Sequence, residues 1–339
     1  MPEGDTIRRL AAEVRDQVGG RRVARSTFRH PRLATVDLAG RTLVDATSHG
    51  KHLFLHFDDG WSLHVHLLMD GRVRFGRGSV AGEVEDWRRR FELAFDEPDG
   101  GVRSMVGVDI PLLHRLRTDD TARLVDHLGP DLCGRFTTGD LDVAVARVAA
   151  AGDGPLGGAL LDQRRVAGFG NIYAVEVPFI CGVSPFQPTT DVVGLEHLVA
   201  VGAALIRTNA ELGPQNTTGR RLERTEHWIL DDKTRVCPRC GAALRRLTGE
   251  QTPWRRRTAW CPTCQAGGAP SGCNDAGGDA GQPVEVDLAR ARSLLSLHPA
   301  RRLLRFGDDP EPSVEFVGPP DAVSPRRPTR GRRTGGYRR

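Results

Sequence analysis

Ile7, Leu10, Ala11, Val14 and Val18 repeat at helical spacing and stop at Gly19-Gly20, which predicts an opening helix. The period then falls to two. Lys51-His52-Leu53-Phe54-Leu55-His56-Phe57 alternates, Asp58-Asp59-Gly60 turns the chain and Trp61 to Leu67 runs back, so this stretch reads as a hairpin. Further strands are expected at Arg72 to Phe75, at Phe91 to Asp96 and, beyond a Pro98-Asp99-Gly100-Gly101 turn, at Val102 to Val108. Together they make a β-sandwich pattern. Around Leu128-Gly129-Pro130-Asp131 alternation gives way to helical periodicity, as in Leu141 to Ala151, and a domain boundary is expected there. After Gln265 the chain thins to Gly, Ala, Pro and Asp as far as Pro283, the composition of a flexible linker. Val286 to Phe306 regains a helical pattern through Leu288, Ala291, Leu294 and Leu295. It reads equally as a helix that contacts a partner or DNA and as a solvated helix packed loosely on the body. The arginine-rich end beyond Pro325 is expected to be disordered.

A chain of 339 residues, 39% of them hydrophobic, is long enough for two domains with real cores. No stretch is apolar enough to span a membrane and the charged start is unlike a signal peptide, so a cytoplasmic protein is expected. The net charge is +5, yet the last sixteen residues hold seven arginines and no acid, which leaves the body at −2. A polyanion would then be held by a local basic groove, with the tail as an auxiliary handle. Four of the seven cysteines fall in two close pairs; Cys133, Cys181 and Cys273 are expected as plain thiols.

Three stretches carry candidate chemistry. The first is Met1-Pro2-Glu3-Gly4-Asp5. Proline behind an initiator methionine favours removal of that methionine and leaves a secondary amine, a nucleophile near neutral pH. Glu3 places a proton donor or acceptor one residue away. On helix statistics alone, Pro2 and Glu3 could merely start the helix and complement its dipole. The second stretch runs from Leu161-Asp162-Gln163 to Gly168-Phe169-Gly170-Asn171-Ile172-Tyr173. Two glycines around an aromatic predict a tight turn, with Asn171 as the cap of the next helix and bare amides suited to a phosphate. An ordinary packing corner fits as well. The third is Cys237-Pro238-Arg239-Cys240 with Cys261-Pro262-Thr263-Cys264, the spacing of a four-cysteine zinc site on a β-ribbon, two redox pairs being the alternative. Arg255-Arg256-Arg257-Thr258-Ala259-Trp260 between the pairs reads as a nucleic-acid finger. Lys51 opens a strand, where it could reach a phosphate or guard a sheet edge. His52, His56, His64 and His66 have no carboxylate or cysteine at ligand spacing and are read as surface residues, not metal ligands.

Taken in order, Pro2-Glu3-Gly4, Lys51, Leu161-Asp162-Gln163, Gly170-Asn171-Ile172-Tyr173 and the four cysteines closely resemble the formamidopyrimidine-DNA glycosylase and endonuclease VIII family over Met1 to Gln265. The resemblance implies an α+β fold. Residues 1–127 would form an N-terminal catalytic β-sandwich with a leading helix, 128–230 a helical helix-two-turn-helix domain and 231–265 a zinc β-ribbon finger. Linker, short helix and tail would follow over 266–339. The implied activity is that of a bifunctional DNA glycosylase and AP lyase of base excision repair. Pro2 would attack C1′ of the damaged nucleotide and form an iminium, Glu3 would protonate the sugar oxygen, and β then δ elimination would cut the strand. Lys51, Gly170, Asn171 and a finger arginine would hold phosphates while the lesion flips out. Counting five back from Cys261 gives Arg256 as that arginine, with Arg257 as its competitor. Met69 falls where the family inserts a wedge into the stack, although a core methionine reads as well. One structural Zn2+ on Cys237, Cys240, Cys261 and Cys264 is implied, with no other cofactor.

Several positions depart from the family pattern. Gly4-Asp5-Thr6 resembles actinobacterial endonuclease VIII relatives, and Ser104-Met105-Val106-Gly107 stands in place of the Arg-Arg-Phe-Gly run of the purine enzymes. Both point to oxidised pyrimidines. The family's Gln-Leu-Tyr wedge is absent, which admits single-stranded or bubble DNA beside duplex. The alternatives are a purine-type enzyme acting on 8-oxoguanine and a catalytically idle binder of damaged DNA or AP sites. A monomer without membrane contact is expected, with the C-terminal extension as the candidate contact for a repair-protein partner.

Overall fold

The computed structural model describes residues 2–79, 82, 84–134, 136–220, 226–270, 282–307 and 314–316. Met1, Cys273 and the tail beyond Pro325 lie outside the described residues. Helix α1 (Gly4–Val18) buries Ile7, Leu10, Ala11, Val14 and Val18, the stripe that its sequence spells. Eight strands follow: β1 (Val23–Phe28), β2 (Leu43–His49), β3 (His52–Phe57), β4 (Trp61–His66), β5 (Arg72–Arg77), β6 (Arg89–Asp96), β7 (Val102–Val108) and β8 (Leu112–Arg117). They make two four-stranded antiparallel sheets, in the orders β1-β6-β7-β5 and β2-β3-β4-β8. Leu53, Leu55 and Phe57 of β3 with Leu63 and Val65 of β4 face Phe91, Leu93, Phe95 and Met105 of the other sheet, and α1 closes this core. Strands β1, β2 and β8 carry no clean alternation; β1 buries only Val23 and Phe28, and pairing with β6 fixes it as a strand.

The other face of β3 and β4 carries Phe54 and the histidines. Phe54 packs on Val125, Leu128 and Ala167, so this face meets the helical part of the chain. His52 Nδ1 lies 2.8 Å from His64 Nε2, and burial pushes His52 down to about 4 and His64 to about 3, which keeps both neutral. His64 is buried, so it is not the surface residue the sequence suggested. Among the described residues the one group arranged to hold a metal is the cysteine set.

The helical part contains α2 (Thr121–Val125), α3 (Thr138–Ala149), α4 (Leu156–Leu161), α5 (Asn171–Cys181) and, after a short strand β9 (Val192–Val193), α6 (Leu195–Leu212). A capping box of Thr137 and Asp140 starts α3. Every residue of α5 is buried, the expected place for a helix apolar on all sides. β10 (Arg245–Leu247) and β11 (Thr258–Trp260) form an antiparallel ribbon. No helix among the described residues is long and apolar enough to cross a membrane.

The C-terminal region departs from expectation. Residues 266–270 are docked: Ala266 N–H donates to the Gly182 carbonyl, Ser184 Oγ to the Gly268 carbonyl, and Gly268 N–H to Gln187 Oε1. The segment continues as β12 (Val284–Glu285), parallel to β9, and then α7 (Leu288–Leu294). The helix predicted over Val286 to Phe306 stops at Leu294, because His298 and Pro299 begin a separate 3-10 turn that leads into β13 (Leu304–Phe306), paired with β14 (Val314–Phe316). Leu288, Ala291, Leu295 and Phe316 sit in the helical core, so the described part of the extension is an integral layer and not a loosely attached helix.

Candidate active site

The N-terminal residues are clamped against the turn ahead of α5. Gly4 N–H donates to the Gly168 carbonyl (2.9 Å), and a Cβ at Gly4 would lie 2.7 Å from the Gly168 Cα, so only glycine permits this approach. Gln163 shapes the turn: its Nε2 donates to the carbonyls of Leu161 and Phe169, and its Oε1 accepts from Gly168 N–H. That assigns a structural task to the Asp162-Gln163 part of the motif. Pro2 is half-buried at the head of α1.

Glu3 is fully buried and reaches the start of α5. Its Oε2 accepts from Gly170 N–H (2.9 Å) and its Oε1 from Ile172 N–H (2.8 Å). A Cβ at Gly170 would lie 2.5 Å from the Glu3 Cδ, which makes Gly170 the partner of this carboxylate. The predicted cap is therefore corrected. Asn171 is the first residue of α5, Gly170 stands at the N-cap, and a carboxylate from the far end of the sequence supplies the capping oxygens. The bare amides read as a phosphate site are taken by Glu3, since two donors at the positive end of a helix suit any anion. Burial raises the Glu3 carboxyl from 4.5 to about 7, against the pull of Lys51 and of the two amides.

Lys51 occupies the turn between β2 and β3 and does not open the strand as predicted. Burial lowers its ammonium, with the Glu3 charge opposing and Arg256 reinforcing the shift. Its turn is fastened to the helical part by Asp131, which accepts from the backbone N–H groups of Cys133 and Gly50. Asp5 is the residue whose role the sequence did not signal. It is buried, and its carboxylate accepts from Tyr173 Oη (3.0 Å), Gln215 Nε2 (2.9 Å) and Thr6 N–H (2.7 Å). Tyr173 in turn accepts from Asn209 Nδ2 of α6 (2.8 Å).

A cleft of about 700 Å³ runs between the start of α5 and the ribbon, lined among others by Met69, Asp70, Asn171, Arg255, Arg256 and Arg257. Met69 is 55% exposed, which excludes the core alternative for it. The Asn171 side-chain oxygen is buried without a partner on this wall, a polar group suited to an incoming ligand. The Arg257 side chain pairs with Asp232 (2.8 Å) on the cleft wall, whereas the Arg256 side chain donates to the Arg255 carbonyl and its charge acts on Lys51. Ser104 to Gly107 lie inside β7 and are buried, so they offer no side chain to a nucleic acid. The turn that follows, where Asp109 has φ +51° and is gripped by Arg88, is the surface feature of that region.

The four cysteine Sγ atoms all lie within 4.8 Å of one another, with Cys237 and Cys264 at 3.8 Å and Cys240 and Cys261 at 3.5 Å. Sulfurs about 2.3 Å from a tetrahedral centre would be roughly 3.8 Å apart, so the set fits one metal ion. Glu176, the one charged residue of α5, ties this region down. Its carboxylate accepts from the backbone N–H groups of Trp228, Ile229 and Leu230 and from Thr217 Oγ1.

The N-terminal domain profile of formamidopyrimidine-DNA glycosylase matches residues 1–107. The Probable endonuclease 8 2 of Streptomyces coelicolor is 38% identical over 80% of this chain and 96% of its own length. Endonuclease 8 2 of Mycobacterium tuberculosis is 37% identical over 78% of this chain and all of its own. The chain belongs to the formamidopyrimidine-DNA glycosylase and endonuclease VIII family. Membership makes it a DNA-repair enzyme of the glycosylase and AP lyase class. A formamidopyrimidine-DNA glycosylase from Gluconobacter oxydans is 28% identical, so the resemblance is stronger to these two endonuclease 8 relatives than to that one. The same fold occurs in the Lactococcus lactis formamidopyrimidine-DNA glycosylase solved non-covalently bound to AP-site DNA, with TM-score 0.64 and 21% identity over 78% of this chain and 99% of that one.

Proposed function

We propose that the chain removes oxidised pyrimidines from DNA through an N-terminal proline amine and then cuts the strand by β,δ-elimination. The observation that carries this reading is the buried Glu3 carboxyl, held beside Pro2 by the α5 amides and poised to titrate at about 7. With Met1 removed, the Pro2 nitrogen attacks C1′ as the bond from C1′ to the base breaks, the amine's own proton passes to the departing base, and the proton held by Glu3 goes to the ring oxygen as the sugar opens. The resulting iminium acidifies C2′–H. Loss of that proton expels the 3′ phosphate, and a second elimination expels the 5′ phosphate. Arg256, Lys51 and Asn171 hold the flanking phosphates across the cleft, and Met69 fills the gap left by the flipped nucleotide.

The test is borohydride trapping on thymine glycol and AP-site oligonucleotides, with Met1 removal verified by mass. A covalent adduct is expected with the wild-type chain, and none with a form that retains Met1. No wild-type adduct on either substrate would leave only the damage-binding alternative. Release of 8-oxoguanine in preference to thymine glycol would favour the purine-type reading.

The cysteine cluster is assigned to one structural Zn2+, which would lock the ribbon and hold Arg256 over the cleft. One zinc per chain is expected by metal analysis. Stripping it with a chelator is expected to abolish specific binding to AP-site DNA; binding that survives complete zinc removal would refute that role.

A further inference from the structure

Arg290 of α7 is the largest fully buried side chain among the described residues, 1% exposed. Its Nη1 donates to the Cys264 carbonyl (2.5 Å), and its guanidinium lies 4.5 Å from the centre of the Phe179 ring. Nε and Nη2 are buried with no partner. Among the described residues no carboxylate lies within ion-pair distance of it. The acid nearest in sequence, Asp287, instead caps α7 through Arg290 N–H (2.8 Å).

A guanidinium does not shed its proton, and burying it without a counter-charge is costly. The surroundings identify the missing anion. Phe179 belongs to the small core that holds Cys237 and Cys261, and a Cβ at Gly182 would sit 3.5 Å from Arg290 Cδ and 3.6 Å from the Cys264 carbonyl. The guanidinium therefore lies against the backbone of Cys264, one of the four cysteines, with Asp287 Cβ 3.1 Å from that same Gly182 position. Four neutral thiols offer it nothing. Four thiolates around a divalent ion carry a formal net charge of about −2 in a site with little water to screen it.

We propose that Arg290 is the counter-charge of the metal–thiolate centre, supplied by the C-terminal extension. The inference rests on reading the four cysteines as a metal site. It couples two parts of the chain that the family resemblance treats separately: the metal holds the extension against α5, and the extension holds the metal in the ribbon. The matched Mycobacterium tuberculosis relative is aligned over its whole length by 78% of this chain, so about a fifth of this chain has no counterpart in it.

The test uses the full zinc-loaded chain with Arg290→Lys and Arg290→Gln. Lysine keeps the charge and loses the planar fork; glutamine keeps a donor and loses the charge. The readouts are zinc transfer to a colorimetric chelator and the thiolate-to-metal charge-transfer band of the cobalt-substituted chain. The glutamine variant is expected to bind zinc about 10- to 100-fold more weakly, with lysine close to wild type. Stripping the metal should raise amide exchange across Leu288–Leu294. Glutamine holding zinc as tightly as wild type, or lysine losing it as readily as glutamine, would overturn the counter-charge. A wild-type chain that binds no divalent metal would instead remove the metal reading itself.

Discussion

Glu3→Gln lowers single-turnover base release by about two to four orders of magnitude, the usual contribution of a positioned general acid. The side chain keeps its size, but it can no longer hand over a proton. One of its two former acceptors also becomes an amide NH2, a donor facing a backbone donor, so either Gly170 N–H or Ile172 N–H loses its partner. A buried unpaired amide costs about 1–3 kcal/mol, so a fall in thermal midpoint accompanies the loss of rate. The pH profile separates the two effects. Glu3 is raised to about 7, so wild-type base release should decline as pH rises through that value, and the declining limb should vanish in the glutamine variant. The sign for stability follows from the same shift: the folded chain holds this proton more tightly than the unfolded one. The stabilisation is complete below about 4.5 and is lost as pH rises to about 7. Wild-type rates from Glu3→Gln would remove Glu3 from the chemistry and leave it only the cap of α5.

Glu176→Ala is expected to give the largest loss of stability among single substitutions in the helical part. Three backbone amides and the Thr217 hydroxyl converge on its fully buried carboxylate at 2.6 to 2.9 Å. Even at the low end of the cost per orphaned donor the sum is about 3 kcal/mol or more, measurable by denaturant unfolding. The function should suffer by a separate route. Residues 228–230 lead into the ribbon, and Arg246 of β10 donates to the carbonyls of Ile229 and Asp231. Loosening them frees the finger, so affinity for AP-site DNA should fall even where the Glu3 pocket is intact. Glu176→Gln, which keeps an acceptor, should be milder. Unchanged stability in Glu176→Ala would show that solvent satisfies these donors and that the carboxylate is not the anchor.

Much of the candidate site is legible because its members are short-range. Pro2 and Glu3 are neighbours, each cysteine pair spans two intervening residues, and the turn into α5 is written in closely spaced glycines. The α1 stripe and the β3–β4 hairpin are likewise local periodicities, and both formed where the pattern placed them. The failures share a physical cause. The cap of α5 was assigned to Asn171 because capping is normally local, whereas the oxygens come from Glu3, about 170 positions away. Glu176 had a usable signal, a single charge in an otherwise apolar helix, but nothing in the sequence named its three amide partners.

The sequence by itself determined the candidate reactive groups, the four-cysteine set and the family, since these depend on residue type and near spacing. Only the tertiary structure decided which arginine of the finger brings its charge to bear on Lys51, why Asp5 is buried beside Gln215 and Tyr173, and that the described part of the extension belongs to the core. Those outcomes depend on which charges and donors meet when distant segments exclude water together. A charge costs little on a solvated helix and a great deal inside a core, and the pattern of Arg290 along α7 is the same in both cases. Its burial against the cysteines is fixed by packing on Phe179 and by the Cys264 carbonyl, neither of which lies near it in the chain.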